Sequence, residues 1–239
     1  MKTAGIALLL GFGICLSVRA DLTIIQKMEG MGGSVHDVTT KMKGDKLRVE
    51  MSPQMTAIFD GKTGEMSTLM NDQKIVVRMS ADKMKAALEM MNQFTDKTEK
   101  KEPPAKAKLV ATGKKEVIGG YETEQYVYDT SGFNVTYWIA PKFPDGDAIL
   151  KQLQTINPDI WKTTKAPIPD YRDFPGLPVK TVMSVAGKQI TITTVAVKKD
   201  PLSDADFTVP SDYHEMKLPG MGSLKVESSS PPPQTTPQP

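Results

Sequence analysis

From Asp21 to Ser80 the chain alternates apolar and polar residues with a period of two. Leu47, Val49 and Met51 alternate with Lys46, Arg48, Glu50 and Ser52, and Ile75, Val77 and Met79 alternate with Lys74 and Arg78, broken only by Val76. Successive side chains of a strand point to opposite faces. A pattern of this kind therefore commits the chain to antiparallel strands with one buried face and one wet face. Turn residues cut the run at Gly30 to Gly33, Gly44-Asp45, Asp60-Gly61 to Gly64, and Asn71-Asp72. The spacing predicts about six short strands joined as a meander.

Residues 81–95 change to helical spacing. Met84, Leu88 and Met91 fall at i, i+4 and i+7, with Ala81 and Ala87 on the same stripe. Ser80 is placed to cap this helix and Asp82 suits its first turn. Residues 96–108 are mostly charged or proline, which predicts a solvated loop. Strands resume at Leu109. A pair hinged at Gly119-Gly120 is followed by the clean alternation of Phe133, Val135, Tyr137 and Ile139. Asp145 or Asp147 starts a second helix through Ile156, with Ile149, Leu150, Leu153 and Ile156 on one face, and Pro158 stops it. Pro158, Pro167, Pro169, Pro175 and Pro178 then mark a long irregular loop. Residues 179–185 and 189–197 read as a hairpin, and a last short strand is expected at Phe207 to Pro210. Strands that do not alternate one by one with helices predict an α+β fold, with an antiparallel sheet and helices on one of its faces.

The first twenty residues have the layout of a secretory signal. Lys2 opens it, Ala4 to Leu16 form the apolar run, and Val18-Arg19-Ala20 supplies a small-x-small cleavage pattern. Thirteen apolar residues fall short of the roughly 20 that span a bilayer, so no integral membrane segment is expected. Cys15 lies inside the run with Ile14 before it, which does not suit lipid attachment. The expected product is a soluble periplasmic or secreted protein. Its domain runs over 21–216, followed by a Pro/Ser-rich tail over 217–239 that lacks the residues to pack a core.

Cleavage removes Lys2 and Arg19 from 30 basic residues, leaving 28 against 28 acidic ones, a formal net charge of zero. That balance argues against nucleic acid held by bulk charge. The only cysteine, Cys15, leaves with the signal, which excludes disulfides, thiol catalysis and cysteine metal sites. His36 and His214 are the two histidines, and neither has metal-ligand spacing. Asp60-Gly61-Lys62-Thr63 resembles the end of a phosphate loop, but Thr56 stands where that loop needs glycine. No catalytic serine, histidine or carboxylate constellation is visible, so no enzyme, cofactor or metal is expected.

Methionine is the unusual component. Fourteen of the 15 follow the signal, and eleven of those lie between Met28 and Met91. Met51, Met55, Phe59, Met66, Met70, Val77 and Met79 share the apolar strand phase, and Met84, Leu88 and Met91 the apolar helix stripe. The helix follows the meander directly, so it is the nearest cover for that face. Unbranched, polarizable side chains on both walls suit a cavity that repacks around a flexible hydrophobic ligand. Two alternatives stand beside this reading. One is a fully packed methionine core in a structural or interaction module without a ligand. The other is thioether binding of Cu(I), for which Met28 and Met31 are close in sequence but lack a nearby histidine or an M-x-x-M array.

Three stretches carry a family resemblance. They are Gly113-Lys114-Lys115-Glu116-Val117-Ile118-Gly119-Gly120-Tyr121 with Tyr126-Val127-Tyr128, then Trp138-Ile139-Ala140-Pro141, then Phe207-Thr208-Val209-Pro210-Ser211-Asp212-Tyr213. In that order after a signal peptide they resemble an uncharacterised bacterial domain-of-unknown-function family. That family is similar in fold to the periplasmic lipoprotein carriers LolA and LolB. The resemblance spans about residues 21–216. It implies a curved, incomplete antiparallel β-barrel whose concave apolar face is covered by helices, with a lipid or lipoprotein as partner. The family pattern often has a cysteine shortly after the Gly-Tyr turn. This chain has Thr123 and Glu124 there, so the resemblance brings no thiol role. It implies no ligand-contacting residues and no oligomeric state.

Overall fold

The computed structural model describes residues 21–31, 34–87, 108–130, 133–156, 171–185 and 188–216. The expected signal, the loop over 96–107, most of the proline-rich loop and the tail lie outside the described residues. Six strands come first: β1 (Leu22–Met31), β2 (Ser34–Lys43), β3 (Lys46–Ser52), β4 (Met55–Asp60), β5 (Glu65–Met70) and β6 (Ile75–Met79). A helix, α1, follows over 81–87. Then come β7 (Leu109–Ile118), β8 (Tyr121–Thr130), β9 (Phe133–Ala140), α2 (Gly146–Ile156) and a 3-10 turn, η1 (Tyr171–Asp173). β10 (Leu177–Val185), β11 (Lys188–Lys198), a second 3-10 turn, η2 (Asp204–Phe207), and β12 (His214–Glu215) complete the chain.

All twelve strands belong to one sheet, ordered β12-β6-β5-β4-β3-β2-β1-β11-β10-β9-β8-β7. Every neighbouring pair is antiparallel except β12 with β6. The sheet is large, curved and not closed. A twisted sheet of this width must curl or split, and this one curls. The six-strand meander and the β7–β8 hairpin follow their sequence signals. Gly119 and Gly120 have φ of +60° and +86°, the two positive values that a tight hairpin turn requires. Ser80 caps α1, its Oγ accepting from the Lys83 amide at 3.4 Å. β1 also pairs with β11 on its other side. That contact joins the two halves of the chain, and no local pattern announces it.

The core lies on one face. Leu22, Ile24, Met42, Phe59, Ile139 and Leu177 from the sheet pack with Ile149 and Leu150 of α2 and with Phe174. Phe174 meets the Tyr137 ring edge-on at 5.0 Å between centroids.

Two expectations need correction on the other face. Residues 207–210 do not form a strand. Ser203 caps η2, accepting from the Ala205 amide, while the Asp206 carboxylate accepts from the Ser203 amide, a reciprocal capping box that turns the chain instead of extending it. Phe207 is buried as a result. Nor is the face of Arg48 and Glu50 simply wet, because residues 202–216 cross it. Lys41 Nζ donates to Asp206 Oδ1 at 2.9 Å, Lys43 Nζ to the Leu202 carbonyl at 2.7 Å, and Arg48 Nη1 to the Asp206 carbonyl at 3.0 Å. Lys43 also pairs with Asp204 at 2.9 Å. Further along, Val209 and Tyr213 pack on Ile58, Leu69 and Val76. The Tyr213 hydroxyl donates to Asn71 Oδ1 at 2.9 Å, and the His214 and Met216 amides donate to the Lys74 and Val76 carbonyls.

Hydrogen bonds from Lys43 and Lys41 hold the carboxyls of Asp204 and Asp206, respectively, below the ordinary aspartate range. A depressed folded-state pKa contributes stability above the ordinary value of about 3.9 and loses it as pH falls through the lower folded value. The strap should therefore resist cleavage by an acid protease near Phe207 down to about pH 4 and become susceptible below it. Lys41→Met/Lys43→Met should be cut faster than wild type at every pH above that point. Equal cleavage of the two proteins would show that these ion pairs do not hold the strap.

Candidate ligand-binding face

Register sorts the meander's side chains into rows that cross the strands. In the first row Leu22, Met42, Leu47, Phe59, Met66 and Met79 lie opposite one another, one from each of β1 to β6. In the second, Ile24, Thr40, Val49, Ala57, Thr68 and Val77 do the same. In the third, Met55, Met70 and Ile75 are opposite. Rows on one face are two residues apart, about 6.6 Å along the strands. All three rows belong to the face that carries the core.

The rows differ in cover. Leu22 and Met42 are 1% and 0% exposed and Phe59 is buried, where α2 packs on the first row. Met66 is half-buried against that cluster. In the second row only Ile24 is buried, while Thr40, Val49, Ala57, Thr68 and Val77 are half-buried. In the third row Met70 and Ile75 are half-buried and Met55 is 42% exposed. Side-chain volume follows the same order. Thr40, Ala57 and Thr68 are small, and they stand between a row of Phe and Met and a row of Met and Ile. The outcome is a trough across β2 to β6, floored by small residues and walled by long ones.

Of the sequence-derived set, Met55, Phe59, Met66, Met70, Val77 and Met79 thus share one face. Met51 sits at the β3–β4 register shift between Glu50 and Ser52, where Ser52 rather than Met51 faces Met55. Met84 of α1 is buried, and Leu88 and Met91 lie outside the described residues. Among the described residues the helix packed into this face's core cluster is α2. Sequence reasoning missed Met42 and the small residues of the floor. Met42 was findable from its alternation with Lys41 and Lys43; the floor was not, because cross-strand neighbours are set by register.

The opposite end of the face is more polar. Glu124, Tyr126 and Tyr128 share it, opposite Ile139, Tyr137 and Val135. The Tyr126 hydroxyl donates to Glu124 Oε2 at 3.4 Å. Burial pushes the phenols of Tyr126 and Tyr128 above their usual range, so both stay neutral. Among the described residues no three His, Cys, Asp or Glu side chains converge as metal ligands, and no helix is long and apolar enough to cross a membrane.

An open, curved antiparallel sheet with one apolar face is the class that these observations define. The chain belongs to the DUF4412 family, a domain of unknown function, whose model matches residues 22–213. The expected membership of a domain-of-unknown-function family is met. No curated protein matches the sequence. Among solved structures it is similar to PNGF-II at 14% identity and TM-score 0.40, covering 82% of this chain and 31% of that one. The chain thus spans about a third of PNGF-II. It is similar to the lipoprotein LppX of Mycobacterium tuberculosis at 11% identity and TM-score 0.37, covering 76% of this chain and 88% of that one. A LolA superfamily protein from Nitrosomonas europaea matches at 12% identity and TM-score 0.30, covering 79% and 89%.

The difference in cover has a measurable consequence. Phe59→Ala removes a buried ring from the first row and should cost about 3–5 kcal/mol in denaturant unfolding. Met55→Ala, at the open end, should stay within about 0.5 kcal/mol of wild type. Similar losses at both positions would mean that the third row is as tightly packed as the first.

Proposed function

We propose that this is an exported, non-enzymatic envelope protein whose mature domain, residues 21–216, holds a lipid, acyl chain or similar flexible hydrophobic ligand along the trough. The helix that begins at α1 and carries Met84, Leu88 and Met91 forms the second wall over Met55, Met70, Val77 and Met79. The observation that carries this reading is the half-buried row of Thr40, Val49, Ala57, Thr68 and Val77 between two bulkier rows. An apolar floor left partly open is a poor core and a suitable seat for a chain-like apolar ligand. Methionine walls refill space around different shapes at less strain than β-branched residues would. The site would take its ligand by shape and apolar contact, and a zero net charge after cleavage fits a ligand not selected by bulk charge.

Ala57→Phe and Met70→Ala test the reading together with a fluorescent fatty-acid probe. If the trough is a ligand site, Ala57→Phe fills it, weakens probe binding severalfold and leaves stability nearly unchanged. Met70→Ala should weaken the probe while costing clearly less than the roughly 2–5 kcal/mol expected of a closed core. If the face is instead a packed core, Ala57→Phe should overpack it and cost about 1–3 kcal/mol with no effect on the probe. That second pattern would leave a structural module without a ligand.

A further inference from the structure

The β1–β2 hairpin brings a histidine to the methionines that the sequence leaves without one. Met28 and His36 lie directly opposite each other in the β1–β2 ladder, and both are half-buried. Opposite residues have Cβ atoms about 4.5–5.5 Å apart, near enough for both side chains to reach a single ion. Met31 is three residues from Met28, an odd spacing that would put it on the other face of a regular strand. The ladder shifts register between Glu29 and Met31, however, so that Met31 holds the position opposite Ser34. Ser34 and His36 are two apart on one strand and share a face. The bulge therefore moves the position of Met31 to the side of Met28 and His36.

Gly30 makes that bulge possible. Its φ of +111° is one that L side chains rarely adopt, and a Cβ there would stand 2.0 Å from the Gln189 carbonyl oxygen of β11. The acids of the same hairpin occupy alternate positions. Glu29 is opposite Val35 and Asp37 opposite Lys27, which places both on the other face.

We propose that Met28 and His36, together with the register position of Met31, form a binding site for a soft monovalent cation, Cu(I). Thioethers are neutral and polarizable and favour Cu(I), and one imidazole adds a nitrogen donor that the ion accepts. With no carboxylate on this face of the hairpin, a site of neutral donors suits a single positive charge better than a hard divalent ion. The site lies at the hairpin's turn end, beyond the methionines of the trough, and does not depend on a ligand there.

The test is anaerobic competition between the full chain and a chromophoric Cu(I) chelator, with ascorbate keeping the metal reduced. Wild type should withdraw one equivalent of Cu(I) and retain no Zn(II) after desalting. Met28→Leu and His36→Gln should each weaken Cu(I) by more than the roughly tenfold that altering a ligand's supporting hydrogen bonds costs. Met70→Leu, in the other methionine group, should bind as wild type does, and circular dichroism should show all three variants folded. Failure of wild type to compete overturns the proposal. So does wild-type affinity in both Met28→Leu and His36→Gln, or an equal loss in Met70→Leu, which would mark binding by exposed methionines in general.

Discussion

The row of Leu22, Met42, Leu47, Phe59, Met66 and Met79 is the constraint on which the rest of the meander depends. Each strand contributes one residue to it, and α2 packs where that row is most deeply buried. Slipping any strand by one residue would turn its row members to the other face, so burial of this row fixes the register of all six. Once register is set, the second and third rows have no freedom. The small residues must stand side by side, and Met55 must face Met70.

The same alternation governs the opposite face. Lys41, Arg48 and Glu50 point there because Met42, Leu47 and Val49 point inward. That face is then available to the strap over 202–216, which meets the cations with Asp206 and the apolar residues Ile58, Leu69 and Val76 with Val209 and Tyr213. Closing one face in this way leaves the trough as the apolar surface whose cover is incomplete. The division of labour is physical: a strap built on ion pairs and one aromatic anchor covers the mixed face, while the apolar face carries the core and the trough.

Much of this was legible in the sequence, for reasons that differ by element. The strands of the meander and the Gly119-Gly120 hairpin announce themselves through period two and through turn residues with a backbone need. α2 was legible from the spacing of Ile149, Leu150 and Leu153. The pairing of β1 with β11 was not, because it joins residues far apart through backbone hydrogen bonds that leave no local pattern. The Phe207 segment misled for a related reason. Phe207-Thr208-Val209 has strand propensity, but the Ser203–Asp206 capping box just before it turns the chain first. At the candidate site, phase correctly grouped Met55, Phe59, Met66, Met70, Val77 and Met79 on one face. It could not reveal the bulge at Met51, the floor of Ala57 and Thr68, or the placement of His36 beside Met28. All three follow from register between strands.

The central claim is that the methionine-walled face is a seat for a hydrophobic molecule and not a closed core. Organic-solvent extraction of the purified mature protein, followed by mass spectrometry, tests it most directly. The account predicts a lipid or acyl species near one equivalent per chain, reduced in Ala57→Phe prepared in the same way. An extract from folded wild-type protein that holds no more lipid than the Ala57→Phe extract would contradict it.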